Sequence, residues 1–212
     1  MQASWIDKER IIFTTDVLQE LDKITSKYDE KRAALLPVLH FVQEREGLGV
    51  WRDLLTALPD QERGILDGML VASGWYPIAV WNRLMEAILE WRDPRYLLGL
   101  ARHIAFQDLN VVFKYVLKLG SPEFVIRRFG LAFKQYFNSA TLESHEELPS
   151  RWNLTLNGSN QVDEAPGEAV CTVGMQGWVL TALERSGILT GHLEKTGCRF
   201  HGAPTCSYLL TW

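Results

Sequence analysis

Three cysteines, Cys171, Cys198 and Cys206, are the residues whose type and spacing could carry chemistry, and all three fall in the last fifth of a 212-residue chain. Seven residues separate Cys198 from Cys206, and the intervening Gly202-Ala203-Pro204 is a turn signal. Two thiols on strands joined by such a turn come close in space. Cys171 on a preceding helix and Glu194, four residues before Cys198, could complete a four-coordinate shell, and thiolates with one carboxylate suit zinc better than calcium or magnesium. Three readings of the thiols stand side by side: packed core groups, a structural zinc, or a redox or catalytic use. An odd number of cysteines clustered at one end does not make a disulfide framework.

The rest of the chemistry is excluded by pattern. The chain has no phosphate-cradling Gly-rich loop ending in Lys-Ser/Thr, no Gly-x-Gly-x-x-Gly, no Gly-x-Ser-x-Gly and no His-Glu-x-x-His. A non-enzymatic role is therefore expected. Lys+Arg 22 against Asp+Glu 26 leaves a net charge of −4, which provides no basic footprint for a nucleic acid. No apolar run approaches the roughly 20 residues of a membrane span, and residues 1–10 show no secretory pattern, so a cytoplasmic location is expected.

The elements that must position the thiols read as helices first and strands last. Apolar positions at helical spacing predict a helix from Pro37 to Glu46 stopped by Gly47, then helices over Gly49 to Leu58 and Asp60 to Leu70. From Pro77 to Trp91 the set Ile78, Trp81, Leu84, Met85, Ile88 and Trp91 marks one buried helical face. Tyr96 to Leu119 reads as one long or two abutting helices, and Ser121-Pro122-Glu123 caps a further helix to about Asn138. Thr141 to Glu147 reads as a short acidic stretch. Arg151 to Leu156 alternates as a half-buried strand, Pro166 to Ser186 is helical, and His192 to Phe200 with Thr205 to Trp212 are two final strands. The expected fold is α+β: a single domain over 1–212, with a helical region 1–75 and a core 76–212 on a small antiparallel sheet.

The ending Cys198, Gly202, Ala203, Pro204, Cys206, Tyr208 and Trp212 resembles that of 4-vinyl-reductase-like small-molecule-binding domains. Further upstream, Phe41 to Gly47, Leu58-Pro59, Ser73 to Pro77, Leu119 to Pro122 and Tyr136 resemble an uncharacterised myxobacterial-type branch of that superfamily. The superfamily also includes haem-nitric-oxide-binding domains and subunits of TRAPP tethering complexes. The resemblance implies helices on a small antiparallel sheet and a structural zinc on Cys171, Glu194, Cys198 and Cys206. One departure bears on that ligand set. Glu194 stands four rather than three residues before Cys198, which reverses its face relative to the family arrangement unless a bulge at Gly197 restores it. The haem-binding relatives' Tyr-x-Ser-x-Arg string is missing, the nearest being Tyr136 to Ala140, so haem is not expected.

The resemblance also places a ligand pocket between helices and sheet, with Trp81, Phe106, Phe113, Phe133, Tyr136 and Trp152 as its candidate lining. Two functions follow from it. One is a sensory module that binds a small apolar or aromatic ligand and signals through a protein partner or homodimer. The other is a scaffold or assembly subunit with a filled core. An enclosed apolar void larger than roughly 150 Å³ favours the first, and its absence favours the second.

Overall fold

A computed structural model describes residues 29–31, 35–68, 75–111, 121–161 and 163–212. Three helices open the described chain: α1 (Leu35–Glu46), α2 (Leu48–Thr56) and α3 (Asp60–Asp67). Gly47 separates the first two in the left-handed region at φ 88°, where a side chain would be strained. A short ribbon pairs β1 (Asp29–Lys31) with β2 (Trp75–Pro77) in antiparallel register.

The helix α4 (Ile78–Trp91) follows directly, and its predicted face is the one it buries, with Ile78, Trp81, Leu84, Met85 and Ile88 all in the core. The helix α5 runs Pro94–Val111, and Phe113, one of the proposed lining residues, lies outside the described residues. Ser121 then caps α6 (Pro122–Ile126), its hydroxyl accepting the backbone N–H of Phe124. The single helix expected to run to Asn138 is instead broken into α6 and α7 (Phe129–Phe133). The break brings Gly130 so close to the strand beneath it that a Cβ there would stand 2.5 Å from the Leu142 carbonyl oxygen.

Four strands form the main antiparallel sheet: β3 (Thr141–Leu148), β4 (Arg151–Asn157), β5 (His192–Gly197) and β6 (Cys206–Thr211), in the order β3-β4-β6-β5. Trp152, Leu154 and Leu156 of β4 alternate inward beside Cys206, Tyr208 and Leu210 of β6. The helix α8 (Met175–Arg185) packs behind this face, preceded by one π turn, Val170–Gly174, that carries Cys171. The α+β expectation holds, with one apolar core running from Leu35 of α1 to Leu210 of β6. No helix among the described residues is long and apolar enough to cross a membrane.

Candidate functional site

Two sites meet at the π turn. On one side of it lies an apolar cavity of about 70 Å³. Trp81 and Met85 of α4, Leu97, Leu100, Ala101 and Ile104 of α5, Phe133, Tyr136 and Phe137 around the end of α7, and Met175 and Trp178 of α8 line it, with Ala169, Val170 and Gly174 closing the end. The rings hold one another edge-on. Tyr136 meets Trp178 at 6.3 Å and 80°, Trp81 meets Phe137 at 6.4 Å and 69°, and Trp178 meets Phe129 at 5.3 Å and 75°. The indole N–H groups of Trp81 and Trp178 have no hydrogen-bond partner among the described residues. Helix spacing at this wall is set by Gly177 of α8, where a Cβ would stand 2.7 Å from that of Ala101 on α5. Arg102 and Glu184 clamp the same crossing through contacts of 2.7 and 2.5 Å.

Three of the six proposed lining residues, Trp81, Phe133 and Tyr136, are in this wall. Phe106 is not; it is 46% exposed, with the guanidinium of Arg185, the last residue of α8, 5.0 Å from its ring. Trp152 is fully buried in the sheet, outside the cavity wall, with Arg127 5.0 Å above its ring. Sequence reasoning missed Met175 and Trp178, although their three-residue spacing on a helix was the available signal.

On the other side of the π turn, the sulfurs of Cys171, Cys198 and Cys206 lie within 4.8 Å of one another. Of the four proposed ligands these three thiols come together and Glu194 does not. By regular alternation Lys195 pairs with Tyr208 on the face of buried Leu193 and Glu194 faces out, exposed; the register shift that marks a bulge comes after them, between Lys195 and Gly197. The Lys195 ammonium donates to the Cys171 sulfur at 3.1 Å. Lys195, and not Glu194, is therefore the β5 side chain that reaches the three thiols.

Electrostatics polarise the thiols. A hydrogen bond from Cys171, followed by the backbone N–H and the charge of Arg199, pulls Cys206 down to about 5 against the cost of burial. Cys171 is pushed up, first by that same hydrogen bond and then by burial. For Lys195 burial is the largest influence and acts downward, but hydrogen bonds to Cys171 and Cys198 outweigh it and raise the pKa. Burial also pushes up Tyr208, whose hydroxyl donates to the Cys171 carbonyl.

No protein-family model and no curated protein matches the chain. Solved structures do. An H-NOX protein from S. oneidensis in the Fe(II)NO ligation state superposes with a TM-score of 0.65 at 12% identity, covering 85% of this chain and 97% of that one. A mutant H-NOX protein from K. algicida in the unliganded Fe(II) state gives 0.64 at 13% identity, covering 85% and 95%. A structure from work on heme distortion in the H-NOX family gives 0.61 at 8% identity, covering 86% and 94%. The chain has an H-NOX-like fold.

This finding overturns the expectation that haem has no place here. That expectation rested on a missing sequence string, whereas the H-NOX-like architecture is the one in which those neighbours are described with Fe(II) and heme. The fit of the cavity itself is mixed. Its apolar wall suits a macrocycle, and Tyr136 and Met175 are donor types that hold haem iron elsewhere. Its volume of about 70 Å³ does not take a porphyrin in the present packing. His103 of α5 lies outside the wall, its ring tilted at 57° and 5.2 Å from that of Phe41 of α1, and burial lowers its pKa.

Proposed function

We propose that the chain is a non-enzymatic module that takes one small apolar or aromatic molecule into the cavity between α4, α5, α7 and α8 and passes its occupancy to a protein partner. The observation that carries this reading is the cavity itself: a wholly apolar space walled by Trp81, Phe133, Tyr136 and Trp178. The unpartnered indole N–H groups of Trp81 and Trp178 add to it, because an orphaned buried donor costs about 1–3 kcal/mol that an acceptor on a ligand would relieve. The H-NOX-like fold and the 4-vinyl-reductase-like last hairpin both point toward small-molecule binding.

A scaffold with a filled core is favoured by one observation, the volume. About 70 Å³ is below the roughly 150 Å³ set as the dividing line, and below the similar engineered cavity that admits benzene. The cavity takes a molecule of a few atoms as it stands. A ring, or haem, requires Trp178 or Tyr136 to swing aside.

The two readings separate in a titration of the purified chain with hemin, indole and benzene, followed by tryptophan fluorescence and, for hemin, by a Soret band. Saturable binding of any probe at one per chain, weakened in Leu100→Trp, supports the module. Absence of binding by all three in a cooperatively folded protein favours the scaffold.

A further inference from the structure

We propose that the π turn Val170–Gly174 is a movable bulge, latched by the Tyr208 hydroxyl, whose migration by one residue carries the occupancy of the cavity to the last strand. A π turn holds one residue more than the α-helix around it, so one carbonyl loses its usual N–H partner. Here the Met175 N–H donates to the Val170 carbonyl, five residues back, and skips that of Cys171. The Cys171 carbonyl is taken instead by the Tyr208 hydroxyl of β6, and both residues are buried. A side chain of the sheet therefore satisfies the orphan that the extra residue creates. Without that hydroxyl the carbonyl would be buried and unsatisfied, which disfavours the bulge at this position.

Both ends of the segment are held. On one side Asn82 accepts the Gly167 N–H and donates to the Ala165 carbonyl, each at 2.8 Å. On the other, Gly177 seats α8 directly against Ala101 and the Leu98 carbonyl of α5. An extra residue between two fixed points has one ready motion, transfer of the bulge along the helix. Migration by one residue toward α8 gives the Gln176 N–H to the Cys171 carbonyl and moves the orphan to the carbonyl of Thr172. Thr172 is half-buried and Gln176 exposed, so water can serve the orphan there. The groups of the helix are then served in either position, and the bond to Tyr208 decides between them. Tyr208 pairs with Leu154 of β4 and Lys195 of β5, so its release is felt in the middle of the sheet. Val170, Gly174 and Met175 line the cavity, and a molecule entering it presses on the turn itself. The coupling rests on the cavity being a binding site; the latch stands without it.

NMR of the deuterated full chain tests this through hydrogen-bond scalar couplings, which name the acceptor of each amide. In ligand-free wild type the Gln176 amide should couple to the Thr172 carbonyl. In Tyr208→Phe, and in wild type saturated with benzene, it should couple to that of Cys171. Benzene, followed by the ring signals of Tyr136 and Trp178, should bind Tyr208→Phe about tenfold more tightly than wild type, because no latch has to be broken. Deletion of Thr172 removes the extra residue, and in that background Tyr208→Phe should leave the affinity unchanged. An unchanged Gln176 acceptor in Tyr208→Phe, or equal benzene affinity in wild type and Tyr208→Phe, would overturn the proposal. No benzene binding by any form contradicts the ligand-binding function instead, and the Gln176 acceptor in Tyr208→Phe then decides the latch alone.

Discussion

Lys195 directs its ammonium at the sulfur of Cys171, 3.1 Å away, from a strand whose alternation turns the neighbouring Glu194 out to solvent. Charge at the thiol cluster is therefore balanced between side chains, and that balance has a pH signature. Folded Cys206 loses its proton near about 5, whereas an unfolded thiol does so near about 8.5. Between those values the unfolded state holds more protons, so stability rises with pH across the window, and this contribution is lost as pH falls through about 5. The raised Cys171 acts in the opposite sense only above the ordinary thiol range. Melting curves from pH 5 to 8 should show a steeper rise for wild type than for Cys206→Ser, and parallel slopes would refute the assignment.

The crossing of α5 and α8 is expected to be intolerant of a single methyl group. In Gly177→Ala the new carbon would meet Ala101 Cβ at 2.7 Å and the Leu98 carbonyl oxygen at 3.0 Å. Overpacking of this kind costs about 1–3 kcal/mol. Chemical denaturation should show that loss, and Ala101→Gly in the same chain should recover part of it.

Asn82 on α4 is a buried clamp. It donates to the Ala165 carbonyl at 2.8 Å and accepts the Gly167 N–H at 2.8 Å, which fixes the segment leading into the π turn. Asn82→Ala strands both backbone groups, at a cost of about 1–3 kcal/mol for each one left unsatisfied. Hydrogen exchange should report faster opening of the Gly167 amide in the variant. Unchanged protection there would show that the segment is held by other contacts.

Much of this architecture was legible in the residues. The face of α4 was readable because Ile78, Trp81, Leu84, Met85 and Ile88 all serve one core, and the Ser121 cap because its chemistry is local. The strand β3 was not, because it is an edge strand with one buried side chain, Leu142; Glu143 and Glu147 face out and a third acidic residue, Glu146, takes an inward position in an ion pair with Arg127, so little alternation is left to read. The break after α6 depends on a tertiary contact, Gly130 against the Leu142 carbonyl, that no local pattern encodes. At the site, the approach of Cys198 to Cys206 followed from the Gly-Ala-Pro turn. Lys195 shares the parity of Leu193, whereas the face of Cys198 relative to Glu194 depended on where the bulge fell, which parity alone could not answer.

Enlarging the cavity separates packing from binding. Leu100 is fully buried in the wall, and Leu100→Ala should cost about 2–5 kcal/mol while opening room for a ring. Benzene should then raise the melting temperature of the variant more than that of wild type. Equal shifts would place the ligand elsewhere.

The most direct measurement is native mass spectrometry of the chain purified from its own host, which weighs polypeptide, ligand and subunits together. A cavity walled by Trp81, Phe133, Tyr136 and Trp178 that works as a binding site predicts one small molecule per chain, released on collisional activation and absent from Leu100→Trp. A bare polypeptide mass in the wild type, together with failure to take up hemin, indole or benzene, would contradict the ligand-binding account.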